Sequence, residues 1–334
     1  MNFDCDNIPA NYSNILKYLL DNGERVSPRG VETIEVRGLH IISRNPQKRF
    51  IAHVNRHANP VFPIIELMWY LSGDDSPVVV SHYRPKIKQY LNPKTGRFDG
   101  ACGSRIRKFN GYFDQLSALR RRLTDDQQSR RAVITIFDPT KDYSDDSLDV
   151  PCYLSLQFMI RNGNLELTTY ARSQDLYMGF VYDAAEWQLL QEIVAGWLGL
   201  RVGTFRHYIG SAHIYSTYLE RAKRIIENDT GFDLYSDYSP QSAALSYEEF
   251  NQMYDLFMEL EKKSRVIDSY NMAKFHEILS TISVIDNEFW QNAIKAVFAF
   301  NASKFGMTDI RDMLSKSINN ELQYMLHAWF SKAR

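Results

Sequence analysis

The chain has 334 residues, 44% hydrophobic and 24% charged, with 39 Lys and Arg against 40 Asp and Glu. This is an ordinary globular composition, enough for one to three domains, and a net charge of −1 leaves no broad basic surface for nucleic acid. Apolar runs fall short of the roughly 18 residues that cross a bilayer, and Met1 to Arg25 lacks the basic-then-apolar order of a secretory signal, so a cytoplasmic protein without membrane partners is expected.

Asn11 to Asn22 reads as a short amphipathic helix, and Gly23 to Gly30 as a turn-rich loop carrying Arg25 and Arg29. From Val31, VETIEVRGLHII alternates apolar and polar residues, the period of a half-buried strand. PIIELMWYLS, from Pro63 to Ser72, switches to helical spacing. Beyond a Pro/Gly-rich stretch at Asn92 to Gly103, the pattern predicts a helix over Tyr112 to Thr124 and a buried strand over Arg131 to Phe137. YLSLQFMI and LELTTYAR flank Asn162-Gly163, two alternating runs around the strongest short hairpin signal. A helix from about Ala185 to Leu198 and a strand from Arg201 to Ile209 follow, and from about Pro240 the periodicity is helical. Strands and helices without regular βαβ alternation indicate an α+β fold.

The three cysteines, Cys5, Cys102 and Cys152, have neither CxxC nor Cys/His ligand spacing, so neither a disulfide framework nor a metal site is expected. Cys152 opens the hairpin, and Arg172 and Ser173 end its paired strand, so a cation can lie near the sulfur and favour the nucleophilic thiolate. A lone cysteine is more often a small buried apolar residue. Arg130 and Arg131 are a surface pair or a bidentate phosphate clamp. Glu66 lies in an apolar helical run, where a carboxylate either reaches the rim or carries a raised pKa suited to proton transfer. Asp183 stands at a strand-to-helix junction, as an N-cap or as a partner for a base edge. His213 and Tyr215 alternate on one face and could hold sugar hydroxyls.

IELMWYLSGD at 65–74, SRR at 129–131, PC at 151–152, QF at 157–158, ARSQD at 171–175, Gly179 and GSAHIY at 210–215 occur in an order that resembles the thymidylate synthases over roughly residues 30–220. The resemblance implies that family's mixed sheet with surrounding helices, here as a catalytic domain at 1–238 with a C-terminal helical extension at 239–334. It implies Cys152 as nucleophile, Arg172 and Ser173 on the nucleotide phosphate with Arg172 lowering the thiol pKa, and Arg130 and Arg131 reaching the phosphate in the neighbouring subunit of an obligate homodimer. Glu66 would organise water and protons, His213 and Tyr215 would hold the sugar, and Asp175, Gly179 and Trp69 would serve the folate side. Arg25 or Arg29 would complete the phosphate site, with Arg29 the choice.

Thymidylate synthases carry Asn where this chain has Asp183. A carboxylate suits the N4 amino donor of cytosine, and Asp here resembles the deoxycytidylate hydroxymethylases. Cys152 is followed by Tyr153 rather than the usual His, Ala171 replaces a longer side chain, Cys102 stands near an expected Tyr, and HAWFSKAR does not resemble the tail that closes over folate. A more open site favours hydration of the intermediate. The expectation is therefore a hydroxymethylase converting CMP or dCMP to 5-hydroxymethylcytidylate with 5,10-methylenetetrahydrofolate and water. The alternatives are a thymidylate synthase or dUMP hydroxymethylase, or a non-catalytic nucleotide-binding relative.

Overall fold

Alternating stretches form strands of one mixed sheet. The computed structural model describes residues 1–53, 55–143, 148–266 and 272–331, so the chain end at 332–334 lies outside the described residues. The strands are β1 (Asn2–Cys5), β2 (Glu24–Val26), β3 (Thr33–Ser43), β4 (Val133–Thr135), β5 (Tyr153–Arg161), β6 (Asn164–Asp175) and β7 (Arg201–Tyr215). They lie in the order β1-β3-β7-β6-β5-β4, with β2 also pairing β3. β1 runs parallel to β3 and β6 parallel to β7, while the other pairs are antiparallel. The β5–β6 hairpin turns through Asn162 (φ 52°) and Gly163 (φ 72°), two left-handed positions that Asn-Gly adopts at little steric cost.

The helices are α1 (Tyr12–Asn22), α2 (Phe62–Ser72), α3 (Val80–Tyr83), α4 (Cys102–Arg107), α5 (Gln115–Asp125), α6 (Pro139–Asp142), α7 (Phe180–Trp197), α8 (Leu219–Glu227), α9 (Leu234–Asp237), α10 (Tyr247–Val266), α11 (Met272–Ile282), α12 (Glu288–Lys304), α13 (Thr308–Lys316) and α14 (Glu321–Ser331). The axis of the molecule is α7, which packs on β6 and β7 and is covered by α2 and α10. It is buried from Phe180 to Ala195 except at Asp183, its polar residues Glu186, Gln188, Gln191 and Glu192 included. None of the described helices is long and apolar enough to cross a membrane.

The expected α+β sheet and the helical run after Pro240 are present, with shifted boundaries. α7 begins at Phe180 rather than Ala185, so Asp183 is inside the first turn and not its N-cap, a position held by Gly179. The helix expected from Tyr112 starts at Gln115, where the Asp114 carboxylate accepts from Ser117 N at 3.0 Å and caps it. β7 runs on to Tyr215 and β4 is shorter than expected.

The C-terminal helices are locked to the sheet domain through α7. Glu192 forms a buried ion pair with Arg49, both at 1% exposure or less. Glu192 Oε1 also accepts from Gln47 Nε2 at 2.6 Å and from the Ser242 hydroxyl at 3.0 Å. Removing one partner of a buried pair strands the other charge. Glu192→Ala should therefore cost about 3–5 kcal/mol in urea unfolding, and the Arg49→Met/Glu192→Leu double variant much less; a loss below about 1 kcal/mol in the single variant would contradict this role.

Candidate active site

Cys152 sits on the loop entering β5, and its position is fixed from β6. Its carbonyl accepts from Arg172 N at 2.8 Å, and the Arg172 guanidinium donates to the carbonyls of Pro151 (2.9 Å) and Val150 (2.8 Å) and to the Ser173 hydroxyl (3.2 Å). Ser173 Oγ lies 3.7 Å from Cys152 Sγ. The three residues expected to act together thus meet, and Cys152 retains an exposed surface. The expected lowering of the thiol pKa does not result. Crowding by protein atoms raises it, and the opposing pull of Arg172 and Ser173 does not compensate. Two of the Arg172 donors hold the carbonyls of Pro151 and Val150, so it also positions the loop, and its charge is the largest influence favouring the thiolate.

Behind the thiol lies a group of acids. Asp183 Oδ2 accepts from Gln174 Nε2 at 2.8 Å and lies 3.5 Å from the Tyr153 hydroxyl, which itself donates to Gln174 Oε1 at 2.9 Å. Burial, then the neighbouring Glu66, pushes Asp183 up to about 7. Glu66 on α2 is also raised, chiefly by burial. Sequence reasoning missed Glu186, one helical turn after Asp183 on α7. It is fully buried, and among the described residues no partner satisfies either of its oxygens. Burial, reinforced by the nearby Glu66 and Asp183, holds Glu186 well above the usual carboxylate range. The available signal was an acid three residues after Asp183 among mostly apolar residues. Asp149 was missed as well; burial raises it to about 6, and its Oδ2 accepts from Gly100 N at 3.2 Å.

The parallel register of β6 and β7 sets Ser173 beside Ser211 and Asp175 beside His213. His213 and Tyr215 meet edge to face at 5.3 Å. Asp175 Oδ1 accepts from the N–H groups of Tyr177 (2.8 Å) and Met178 (2.9 Å), which shapes the turn into Gly179. A Cβ at Gly179 would come within 3.1 Å of Gln174 Nε2 and 3.5 Å of Asp183 Oδ2, so glycine leaves room for their bond. Asp175 and Tyr215 line a cavity of about 450 Å³ together with Asn59, Arg84, Lys86, Met178, Tyr182 and Trp329. The Arg84 guanidinium lies over the rings of Phe62 (5.3 Å) and Tyr182 (5.1 Å), and its charge favours the ionised forms of Glu66, Asp183 and Glu186.

Other expected residues are not gathered here. Trp69 is 4% exposed, with its ring between Tyr70 and Phe98; it belongs to the core and not to the cavity wall, because α2 is apolar on every side and its periodicity could not assign faces. Arg130 and Arg131 are exposed, and pairing of Val133 with Gln157 puts them about 17 Å or more along β5 from Cys152. Arg29 is exposed at φ 55°, whereas Arg25 is paired with Glu32.

The family described as thymidylate synthase matches residues 10–257 of this chain. A protein of Bacillus phage SP01 named deoxyuridylate hydroxymethyltransferase is 30% identical over 241 residues, covering 69% of this chain and 63% of that protein. The match thus spans less than two thirds of the relative's length.

The raised Asp183 pKa has a stability signature. Between its ordinary value near 3.8 and about 7, the folded chain keeps a proton that the unfolded chain has released, so this site loses stability as pH rises through that window. Asp183→Asn should raise the melting temperature more at pH 8 than at pH 5 in a thermal-shift titration. A gain independent of pH would mean that Asp183 is ionised throughout.

Proposed function

Because the chain belongs to the thymidylate synthase family, we propose that it hydroxymethylates C5 of a cytidylate, CMP or dCMP, in the cytoplasm, using 5,10-methylenetetrahydrofolate and water. The observation that carries this reading is the Cys152 thiol in contact with Ser173, beside a cluster in which Asp183 stands where the family carries Asn.

The cavity next to Asp175 suits the folate. Trp329 offers a face for a flat ring, and Arg84 and Lys86 offer cations for an anionic tail. When bound, the folate supplies a one-carbon unit at the oxidation level of formaldehyde. Cys152 acts first: its sulfur bonds to C6 of the base, and the electron pair displaced from the C5–C6 double bond makes C5 nucleophilic. Once C5 has bonded to the one-carbon unit and lost its proton, the unit's bond to the folate nitrogen would break and tetrahydrofolate would leave carrying that proton; Glu66 holds the water that then adds to the unit and takes the water's proton. Breaking the C6–S bond returns the thiolate. No hydride is needed, so no dihydrofolate forms.

Asp183 presents an oxygen held by Gln174 to the base edge. When ionised, it accepts from the cytosine N4 amino group and repels O4 of uracil; when protonated, it can pair with either base. A uridylate substrate is therefore the second reading, favoured by the name of the phage relative.

We further propose a homodimer with shared sites. The rings of His40, Tyr208 and Tyr170 stack across three adjacent strands, with centroids 3.9 and 5.5 Å apart, and Tyr208 is 41% exposed. Such an aromatic ladder on an open sheet face suits a second copy, whose Arg130 and Arg131 would serve the phosphate held beside Arg172.

Cys152→Ala should abolish turnover, by about 10⁴-fold or more, while nucleotide affinity stays within about threefold. Initial rates with CMP, dCMP, UMP and dUMP should show cytidylate used at pH 6 and pH 8 and uridylate use falling about tenfold as Asp183 ionises. Preference for uridylate at both pH values, or dihydrofolate absorbance, would overturn the cytidylate reading.

A further inference from the structure

One wall of the cavity beside Asp175 comes from the other end of the chain. Trp329 on α14 lines it opposite residues of α3, β6 and α7. Its indole lies flat on the His57 imidazole, with centroids 4.6 Å apart and planes 13° apart, and meets Phe300 of α12 at 5.9 Å.

His57 has φ 49°, a left-handed conformation that costs a residue with a Cβ about 1–2 kcal/mol and needs surrounding structure to hold it. The stacked indole is part of that support. The chain near His57 is tied to the cavity: Asn59, two residues on, lines it and its Nδ2 donates to the carbonyl of Tyr83, another lining residue, at 3.0 Å, while Arg56 Nε donates to Tyr177 O at 2.8 Å, next to the lining residue Met178. C-terminal helices brace the next wall too. The Tyr83 hydroxyl donates to Glu261 of α10 at 2.8 Å and accepts from Asn301 of α12 at 3.0 Å, and Tyr83 leads directly into Arg84.

We infer that Trp329 is a binding residue for the aromatic part of the folate, so that the C-terminal helices form part of the active site. This rests on the folate-dependent function proposed above. A half-buried indole on the wall of a cavity of about 450 Å³ provides an apolar face for a flat ring. Rooted in a packed helix, it stands in place before the ligand arrives, which lowers the ordering cost of binding.

The test is calorimetric titration of the full chain with tetrahydrofolate and, separately, with CMP, in wild type, Trp329→Ala and Trp329→Phe. Trp329→Ala should weaken tetrahydrofolate binding about tenfold or more and leave CMP binding unchanged, while Trp329→Phe, which keeps a flat ring, should stay within about threefold of wild type. If Trp329→Ala does not fold, Trp329→Leu keeps the apolar bulk without the ring and carries the same comparison. Unchanged tetrahydrofolate affinity in a folded variant, or equal loss for both ligands, overturns the inference and leaves the proposed function standing. Wild type that binds no tetrahydrofolate, with or without CMP, overturns the function and this inference together.

Discussion

Burying several ionisable groups around one cleft limits how many can carry charge at once. Glu66, Asp183 and Glu186 are each raised by burial, and negative charge on one makes ionisation of the next harder. Protons therefore stay on this cluster to a higher pH than isolated carboxyls would allow. The Cys152 thiol shares the constraint, since Asp183 and Asp149 both oppose its ionisation. Protonated neighbours are what leave a thiolate affordable near Arg172. A cluster holding a mobile proton is also what a water-adding step needs, because the water must give up a proton while the leaving sulfur regains its charge.

The same economy explains why α7 is the element around which the fold is arranged. Its first two turns carry Asp183 and Glu186 into the group of acids behind Cys152, and Glu192, further along, receives Arg49 and Ser242 and so fixes the C-terminal segment. Site and extension are ends of one rigid, almost wholly buried helix. Through it, and through Tyr83 and His57, the packing of α10, α12 and α14 reaches the cavity walls.

Much of the fold was legible in the sequence because its signals were local. Asn162-Gly163 placed the hairpin, and the hairpin placed Cys152 against Arg172 and Ser173. The long strand from Thr33 and the C-terminal helical run also followed from periodicity. What failed to show was whatever depends on packing. α2 and α7 are buried on almost every side, so their patterns could not show which residue joins the acids behind the thiol; Trp69 packs in the core, and Glu186 lies buried near Glu66 and Asp183. β1 is a four-residue edge strand whose pairing with β3 has no local signature. The sign of the Cys152 shift was hidden because a nearby arginine is visible in sequence, whereas the crowding that outweighs it is not.

The proposed chemistry depends on a bond between Cys152 and a pyrimidine C6. Fluorine at C5 cannot leave as a proton does, so incubating the protein with 5-fluorocytidylate and 5,10-methylenetetrahydrofolate should arrest turnover with all three components joined. Intact mass spectrometry should show protein heavier by one nucleotide and one folate, and digestion should locate the adduct on Cys152. Unmodified protein under saturating ligand, or an adduct that forms equally on Cys152→Ala, would contradict the account.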